Sequence, residues 1–138
     1  MLEKYYKYKM DFREYVVLIK FGNFYECFEK DAFILNVLFK YKVKKISNSF
    51  KVGFPISSLD NVIDKFHKEK INYVVVENDN VIKKSFDNNN YFNYKFDMEE
   101  MLYNYLRIEK IVKYFEDNIM VSGFSDKLKN IEEMLYVD

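Results

Sequence analysis

Apolar and polar positions along the chain follow two periods, and these predict helices alternating with strands. Segment 2–12 has the spacing of a short amphipathic helix, and 15–21 is the β-branched and aromatic run of a buried strand. A second short strand is predicted at 24–28. Gly22 and Asn23 separate these strands and tolerate positive φ, which favours a tight hairpin.

The middle of the chain continues this alternation. Apolar residues at helical spacing predict a helix after the hairpin, at Phe28, Ala32, Leu35 and Phe39. Further elements are strands at 43–48 and 51–55, a helix capped by Ser57 with Asp60 in its first turn, and strands at 71–78 and 81–86 joined by a turn at Asp79 and Asn80.

The last third of the sequence is helical after a polar run at 87–95 that predicts a linker. One helix is expected to start at Asp97 and carry the stripe Met101, Tyr105, Ile108, Val112 and Phe115, and another to be capped by Ser125, with Leu128, Ile131 and Leu135 on one face. The pattern predicts an α+β fold, with a mixed β-sheet flanked by helices at 1–90. A helical extension at 97–138 is expected to pack on that domain or to mediate dimerisation.

Composition narrows the class of protein. A chain of 138 residues is the size of one domain. The single cysteine, Cys27, excludes an internal disulfide, and no apolar run is long enough to span a bilayer. We therefore expect a cytoplasmic protein with no membrane partner.

Charge is balanced overall but divided along the chain. The 22 basic and 22 acidic side chains cancel, which argues against an indiscriminate nucleic-acid binder. Residues 1–96 carry 17 basic against 12 acidic side chains, whereas 97–138 carry 5 against 10. Five positive charges cluster at Lys40, Lys42, Lys44, Lys45 and Lys51. They are typical either of an edge strand protected from aggregation or of a surface that tracks phosphates.

Catalytic chemistry has little support in the sequence. His67 is the only histidine and has no second histidine or nearby cysteine for a metal site or a relay. Cys27 is expected to be a small buried hydrophobic residue. A phosphate-binding glycine-rich loop is absent from the sequence. The protein is therefore expected to be no enzyme, with no catalytic residue, metal or cofactor.

Several motifs of the first 77 residues resemble the amino-terminal, mismatch-recognition domain of the MutS family of DNA mismatch repair proteins. Tyr5 and Lys9 match a pair on the family's first helix, and Lys20 ends the apolar strand that follows it. Residues 22–28, Gly-Asn-Phe-Tyr-Glu-Cys-Phe, match the family's Gly-Asp-Phe-Tyr-Glu-x-Phe motif. The other matches are Asp31-Ala32, Gly53-Phe54-Pro55 and Val74-Val75-Val76-Glu77.

The resemblance implies that Phe24 wedges into DNA and stacks on a mispaired base while Glu26 hydrogen-bonds that base. The residues alone leave a second interpretation open, in which Phe24 and Phe28 are core residues of the hairpin. Period two places Phe24, Glu26 and Phe28 on one face, where a carboxylate between two phenylalanines is unfavourable in a core without a partner.

The function expected on this basis is that of a stand-alone, non-catalytic recognition module for mispaired or distorted nucleic acid, either DNA or RNA. The expected binding residues are Phe24, Glu26, Lys20, Lys42, Lys44, Lys45 and Lys51. The alternative is a protein-interaction or regulatory module that keeps the fold without binding nucleic acid. In that case the acidic carboxy-terminal helices bind a protein partner or a second copy of the chain.

Overall fold

A computed structural model describes residues 1–136, which divide into one compact unit at Met1–Met98 and a second that begins at Glu99. The first unit contains six strands and three α-helices in alternation. In chain order they are α1 (Leu2–Asp11), β1 (Val16–Phe21), β2 (Phe24–Phe28), α2 (Glu29–Phe39), β3 (Lys44–Ile46), β4 (Ser49–Pro55), α3 (Leu59–Glu69), β5 (Tyr73–Glu77) and β6 (Asn80–Lys84).

The six strands form one sheet in the order β3-β4-β2-β1-β5-β6. β1 pairs parallel with β5, and the other neighbours are antiparallel, so the sheet is mixed. The central strand β1 is apolar on both faces because both are covered, and Val16, Val17, Leu18 and Ile19 are fully buried. The expected α+β fold with a mixed sheet flanked by helices is confirmed.

The core lies on the two faces of this sheet. On one face, Leu18, Cys27 and Val52 pack with residues of α2 and α3 such as Leu35 and Phe66. On the opposite face, strand residues pack with Tyr5 of α1, in the cluster Tyr5, Val17, Ile19, Phe28, Val74 and Val76. We call these the α2/α3 face and the α1 face.

A buried carboxylate connects four segments of the first unit. Asp31 has no exposed surface. Its carboxylate accepts hydrogen bonds from the Tyr5 hydroxyl at 2.7 Å, the Val17 amide at 3.0 Å and the Tyr91 hydroxyl at 2.8 Å, and it pairs with Lys9 Nζ at 3.0 Å. Burial, followed by the charge of Asp31, raises the pKa of both phenols, which therefore remain donors. A buried charge with this many partners stabilises the fold, since each donor offsets its desolvation.

The polar run at 87–95, predicted to be a linker, instead packs on the first unit. Tyr91 is buried and bonds to Asp31, and the Asn89 side chain caps a 3-10 turn at Asn90–Asn93. Asn89 also accepts a hydrogen bond from the Asn72 amide at 3.0 Å. A hydrophilic composition suggested a linker, but these polar side chains satisfy backbone groups just before β5 and at the end of α3.

Three local predictions of turns and caps are wrong by one or more residues. Ser57 lies inside a 3-10 turn, Ile56–Ser58, and provides no cap for α3. The β5–β6 turn is at Asn78 and Asp79, both with positive φ, rather than at Asp79 and Asn80. The last helix begins at Phe124, so Ser125 lies within it.

The second unit consists of two helices, α4 (Met98–Asp117) and α5 (Phe124–Tyr136). They are joined through Gly123, which takes φ +83°. Phe124 is buried and its ring contacts Phe115 with the centroids 6.1 Å apart. On α4 no residue is buried. None of the helices in the described residues has both the length and the apolar character needed to cross a bilayer.

Candidate nucleic-acid interface

The turn between β1 and β2 forms a tight, well-anchored tip. Phe21 pairs directly with Phe24, which leaves Gly22 and Asn23 as a two-residue loop. Gly22 alone takes positive φ, +61°, as expected for the first central position of a II′ turn. The Asn23 carbonyl accepts a hydrogen bond from the Ile56 amide at 3.0 Å, so the tip is also bonded to the segment that follows β4.

Burial along the α1 face of β2 changes steeply from the tip towards the middle of the sheet. Phe24 is 50% exposed, Glu26 is 8% exposed and Phe28 is fully buried. Side chains alternate between the two faces along β2, so Tyr25 and Cys27 point to the opposite face, where both are buried. The core interpretation is therefore correct for Phe28, whereas Phe24 places half of its surface in solvent.

Lys51 is the ionic partner of the nearly buried Glu26 carboxylate. Lys51 Nζ lies 2.7 Å from Glu26 Oε2, and the two side chains are 29% and 11% exposed. Gly53 lies directly opposite Glu26, and a β-carbon there would come within 3.8 Å of Oε2. This is an ordinary van der Waals distance, so Gly53 lies directly against the Glu26 side chain without crowding it.

The remaining lysines of the predicted site are spread over both faces and a loop. Lys44 is exposed and lies directly opposite Lys51 on the α1 face, whereas the register places Lys45 on the α2/α3 face. Lys42 is exposed in the loop before β3. Among these residues the structure therefore brings Lys44 and Lys51 onto the same face as Phe24 and Glu26.

Lys20 lies on the α2/α3 face, where its Nζ is 2.8 Å from Glu77 Oε1. This hydrogen bond, followed by the charge of Glu77, raises the pKa of Lys20. Lys20 and Glu77 belong to two of the sequence motifs and lie towards the ends of β1 and β5. They are thus bonded to each other across neighbouring parallel strands. Lys20 is separated by the sheet from the face that carries Phe24.

One exposed aromatic residue at the tip was missed by sequence reasoning. Phe21 is 61% exposed and lies beside Phe24. It was assigned to the buried strand because it ends an apolar run. The signal that identifies it is the two-residue loop, since the residues that flank such a loop form a cross-strand pair on one face.

Cys27 and His67, the two residues considered for catalysis, both lie on the α2/α3 face and not on the face that carries Phe24. Cys27 is fully buried in the cluster on the α2/α3 face, which confirms its assignment as a core residue, and this burial raises the pKa of its thiol well above the usual value. His67 Nε2 lies 2.8 Å from the Tyr73 hydroxyl on the α2/α3 face. Within residues 1–136 no group of His, Cys, Asp or Glu side chains is arranged to hold a metal ion.

Two comparisons with known proteins agree with this architecture. A family model described as MutS domain I matches residues 1–95, which covers the whole sheet and the packed segment after it. The DNA mismatch repair protein MutS of Thermosipho melanesiensis (strain DSM 12029 / CIP 104789 / BI429) is 31% identical over 65 residues. These residues are 47% of this chain and only 8% of that protein.

Proposed function

Because this chain belongs to the MutS domain I family, we propose that it binds mispaired or distorted DNA by itself, inserting Phe24 as an aromatic wedge and requiring no ATP. MutS domain I is a non-catalytic recognition domain associated with mismatch recognition in MutS. The proposal concerns what this domain does alone, in a chain that matches less than a tenth of its MutS relative.

The observation that carries the proposal is the position of Phe24. Its ring is half exposed at the end of a short hairpin whose turn is bonded to Ile56. Stacking such a ring on an unstacked base contributes about 1–3 kcal/mol. Opening a base step costs a few kcal/mol, and less where the pair is already weak. A fixed exposed ring therefore selects sites where the base stack opens easily.

Glu26 and the lysines give this tip its polar chemistry. A lone carboxylate would be repelled by DNA phosphates, but Lys51 offsets the charge of Glu26 within hydrogen-bonding distance. In the proposal the carboxylate accepts a hydrogen bond from the edge of the displaced base. Lys44 and Lys42, both exposed, supply the positive charge that interacts with phosphates.

The test is the affinity of the full chain for a matched duplex, a duplex with one mismatch and the corresponding RNA duplexes, measured by fluorescence anisotropy with and without ATP. Phe24→Ala should weaken binding to the mismatch by about 1–3 kcal/mol. Its melting temperature should stay close to that of the parent, because half of the ring is already in solvent. Ile82→Ala, a comparably exposed apolar position on β6, is the matched control and should not alter binding.

Glu26 is tested through discrimination rather than affinity. Glu26→Gln removes a negative charge near the backbone, so it should keep or raise affinity while narrowing the difference between mismatched and matched duplexes. Unchanged discrimination in this variant would remove Glu26 from the site. A parent that binds matched and mismatched duplexes equally, with or without ATP, would refute the whole proposal.

Exposed apolar residues of the second unit favour a second candidate function, protein interaction. On α4, Ile108, Ile111 and Val112 are 56%, 53% and 45% exposed. A two-helix unit of this length buries too little apolar surface to be stable alone. We propose that α4 and α5 are covered by a protein partner or by a second copy of the chain.

A further inference from the structure

The strand β6 ends the sheet and exposes apolar side chains along an edge that no other strand of the sheet covers. All five of its residues are exposed, and Val81 and Ile82 have 41% and 62% of their surface in solvent. The opposite edge strand, β3, is only three residues long and begins with two lysines, which is typical of an edge protected from pairing. The longer and partly apolar β6 is instead a template for another strand.

The turn before β6 determines which backbone groups of the strand point outwards. Both residues of the loop at 78–79 have positive φ, so the two residues that flank this loop form a hydrogen-bonded pair. Hydrogen-bonded and non-hydrogen-bonded pairs alternate along antiparallel strands. Every second residue, beginning with Asn80, therefore bonds to β5, whereas Val81 and Lys83 direct their N–H and C=O groups away from the sheet.

These two outward-facing residues give β6 one register in which it is complementary to itself. In an antiparallel pair of β6 strands centred on Ile82, Val81 of each copy lies opposite Lys83 of the other, and each such pair exchanges both N–H···O bonds. Centring the pair on Lys83 would place like charges directly opposite each other, which destabilises a sheet. Centring it on Val81 would bring in Asp79, whose φ of +64° is not that of a strand.

The same register covers the apolar side chains of the edge. Ile82 lies opposite Val75 on the α2/α3 face, and at the centre of the pair it would meet the same residue of the second copy. Val81 lies opposite Val76 on the α1 face, beside the aliphatic stem of Lys83 from the second copy. Within β6 no like charges are directly opposite in this register, so the lysines that disfavour other registers are compatible with this one.

We propose that the β6 edge binds a second copy of this chain, with the two β6 strands antiparallel about a two-fold axis at Ile82 and the two sheets joined into one. This inference does not depend on the proposed DNA binding, because each copy keeps its own β1–β2 turn and Phe24. A strand of this length spans only about 17 Å, so the contact is small and the dimer is weak and depends on concentration.

The first experiment measures the mass of the full chain by sedimentation equilibrium from low to high micromolar concentration, where the parent should shift from monomer towards dimer. Val81→Pro removes an N–H that β5 does not use, so it should weaken self-association about tenfold or more at a nearly unchanged melting temperature. Val81→Thr keeps this N–H and the β-branched shape, and as the matched control it should associate as the parent does. Ile82→Lys places like charges at the axis and should remain a monomer.

The second experiment tests the register by cross-linking. Cys27 is the only cysteine and is fully buried, so a thiol introduced on β6 reports alone. Residues of a non-hydrogen-bonded pair have α-carbons about 4.5 Å apart, which is within the range of a disulfide. Ile82→Cys should therefore form a disulfide-linked dimer in oxidised glutathione. Lys84→Cys, which would lie opposite Asn80 of the second copy, should form far less of it.

Three outcomes would overturn the inference. A parent that stays monomeric at every concentration would refute it and leave the edge to an extended segment of another protein. A parent that dimerises while Val81→Pro and Ile82→Lys do so equally well would place the dimer contact on another surface, such as α4 and α5. Equal cross-linking of Ile82→Cys and Lys84→Cys would refute the proposed pairing of the strands.

Discussion

The ion pair between Glu26 and Lys51 is open to a quantitative test by removing the lysine. In Lys51→Met the aliphatic stem is kept and the carboxylate, of which only 11% of the side chain is exposed, loses its partner at 2.7 Å. Leaving a buried polar group unpaired costs about 1–3 kcal/mol, more when it is charged. Breaking a fully buried pair costs about 3–5 kcal/mol, but Lys51 is partly exposed, so solvent screening lowers this figure.

A second effect of the substitution has the opposite sign. Lys44 lies directly opposite Lys51, and like charges in this position destabilise a sheet by about 0.2–1 kcal/mol. We therefore expect Lys51→Met to lower the free energy of unfolding by about 1–2 kcal/mol. In a domain of this size that corresponds to a fall in melting temperature of roughly 3–10 °C.

The assay is a double-mutant cycle of Lys51→Met and Glu26→Gln, followed by urea and thermal unfolding. Because the Glu26→Gln side chain is a neutral amide and leaves no charge unpaired, adding Lys51→Met to this variant should cost at least about 1 kcal/mol less than in the parent. Lys42→Met makes the same charge change at an exposed loop position and should stay within about 0.5 kcal/mol of the parent. Strict additivity in the cycle would refute the coupling inferred from the structure.

Two further predictions concern the segment after β6 and the second unit. Tyr91→Phe removes the hydroxyl that donates to Asp31 and should lower stability by about 1–3 kcal/mol in urea unfolding. Because burial raises the pKa of Tyr91 in the folded state, the folded protein keeps a proton that the unfolded chain loses above about pH 10. The free energy of unfolding then decreases as the pH rises further. This decrease should be smaller in Tyr91→Phe than in the parent by about 1.4 kcal/mol per pH unit. Equal slopes in the two proteins would contradict the prediction. A fragment of residues 1–98 keeps the contact of Tyr91 with Asp31, so its circular dichroism should show more folded structure than that of a 1–90 fragment. If the 1–98 fragment is soluble, unfolds cooperatively and has the oligomeric state of the full chain, then α4 and α5 neither complete the core nor mediate dimerisation.

Most of the sheet was predictable because local signals and the fold agree. The Gly22-Asn23 loop between two apolar runs specified the hairpin, and the period of two separated Phe24 and Glu26 from Tyr25 and Cys27. The helices of the first unit followed from apolar residues at helical spacing, since both α2 and α3 bury one face against the sheet.

The errors arise where distant segments meet. The partners of Asp31 come from α1, β1 and the polar run, up to 60 residues away, so no local pattern identifies them. Tyr91 was assigned to a linker because the segment around it is hydrophilic. Composition does not distinguish polar side chains that bind water from polar side chains that bind backbone groups. The ion pair of Lys51 with Glu26 was not foreseen either, because it depends on how β2 and β4 pair, while the contact of Lys51 with phosphates stays a prediction.

The structure also explains how one short strand can carry both a core residue and the proposed contact residue. On β2 the α1 face passes from the fully buried Phe28 through Glu26 to the exposed Phe24 within five residues. Phe28 contacts Tyr5, with their ring centroids 5.1 Å apart, and thereby joins the strand to α1, whose Tyr5 hydroxyl also donates a hydrogen bond to Asp31. Changes at Phe28 should act on binding only through stability, whereas changes at Phe24 should act on binding at unchanged stability. The two effects are separable because the anchored turn fixes the tip independently of the side chain that Phe24 presents to solvent.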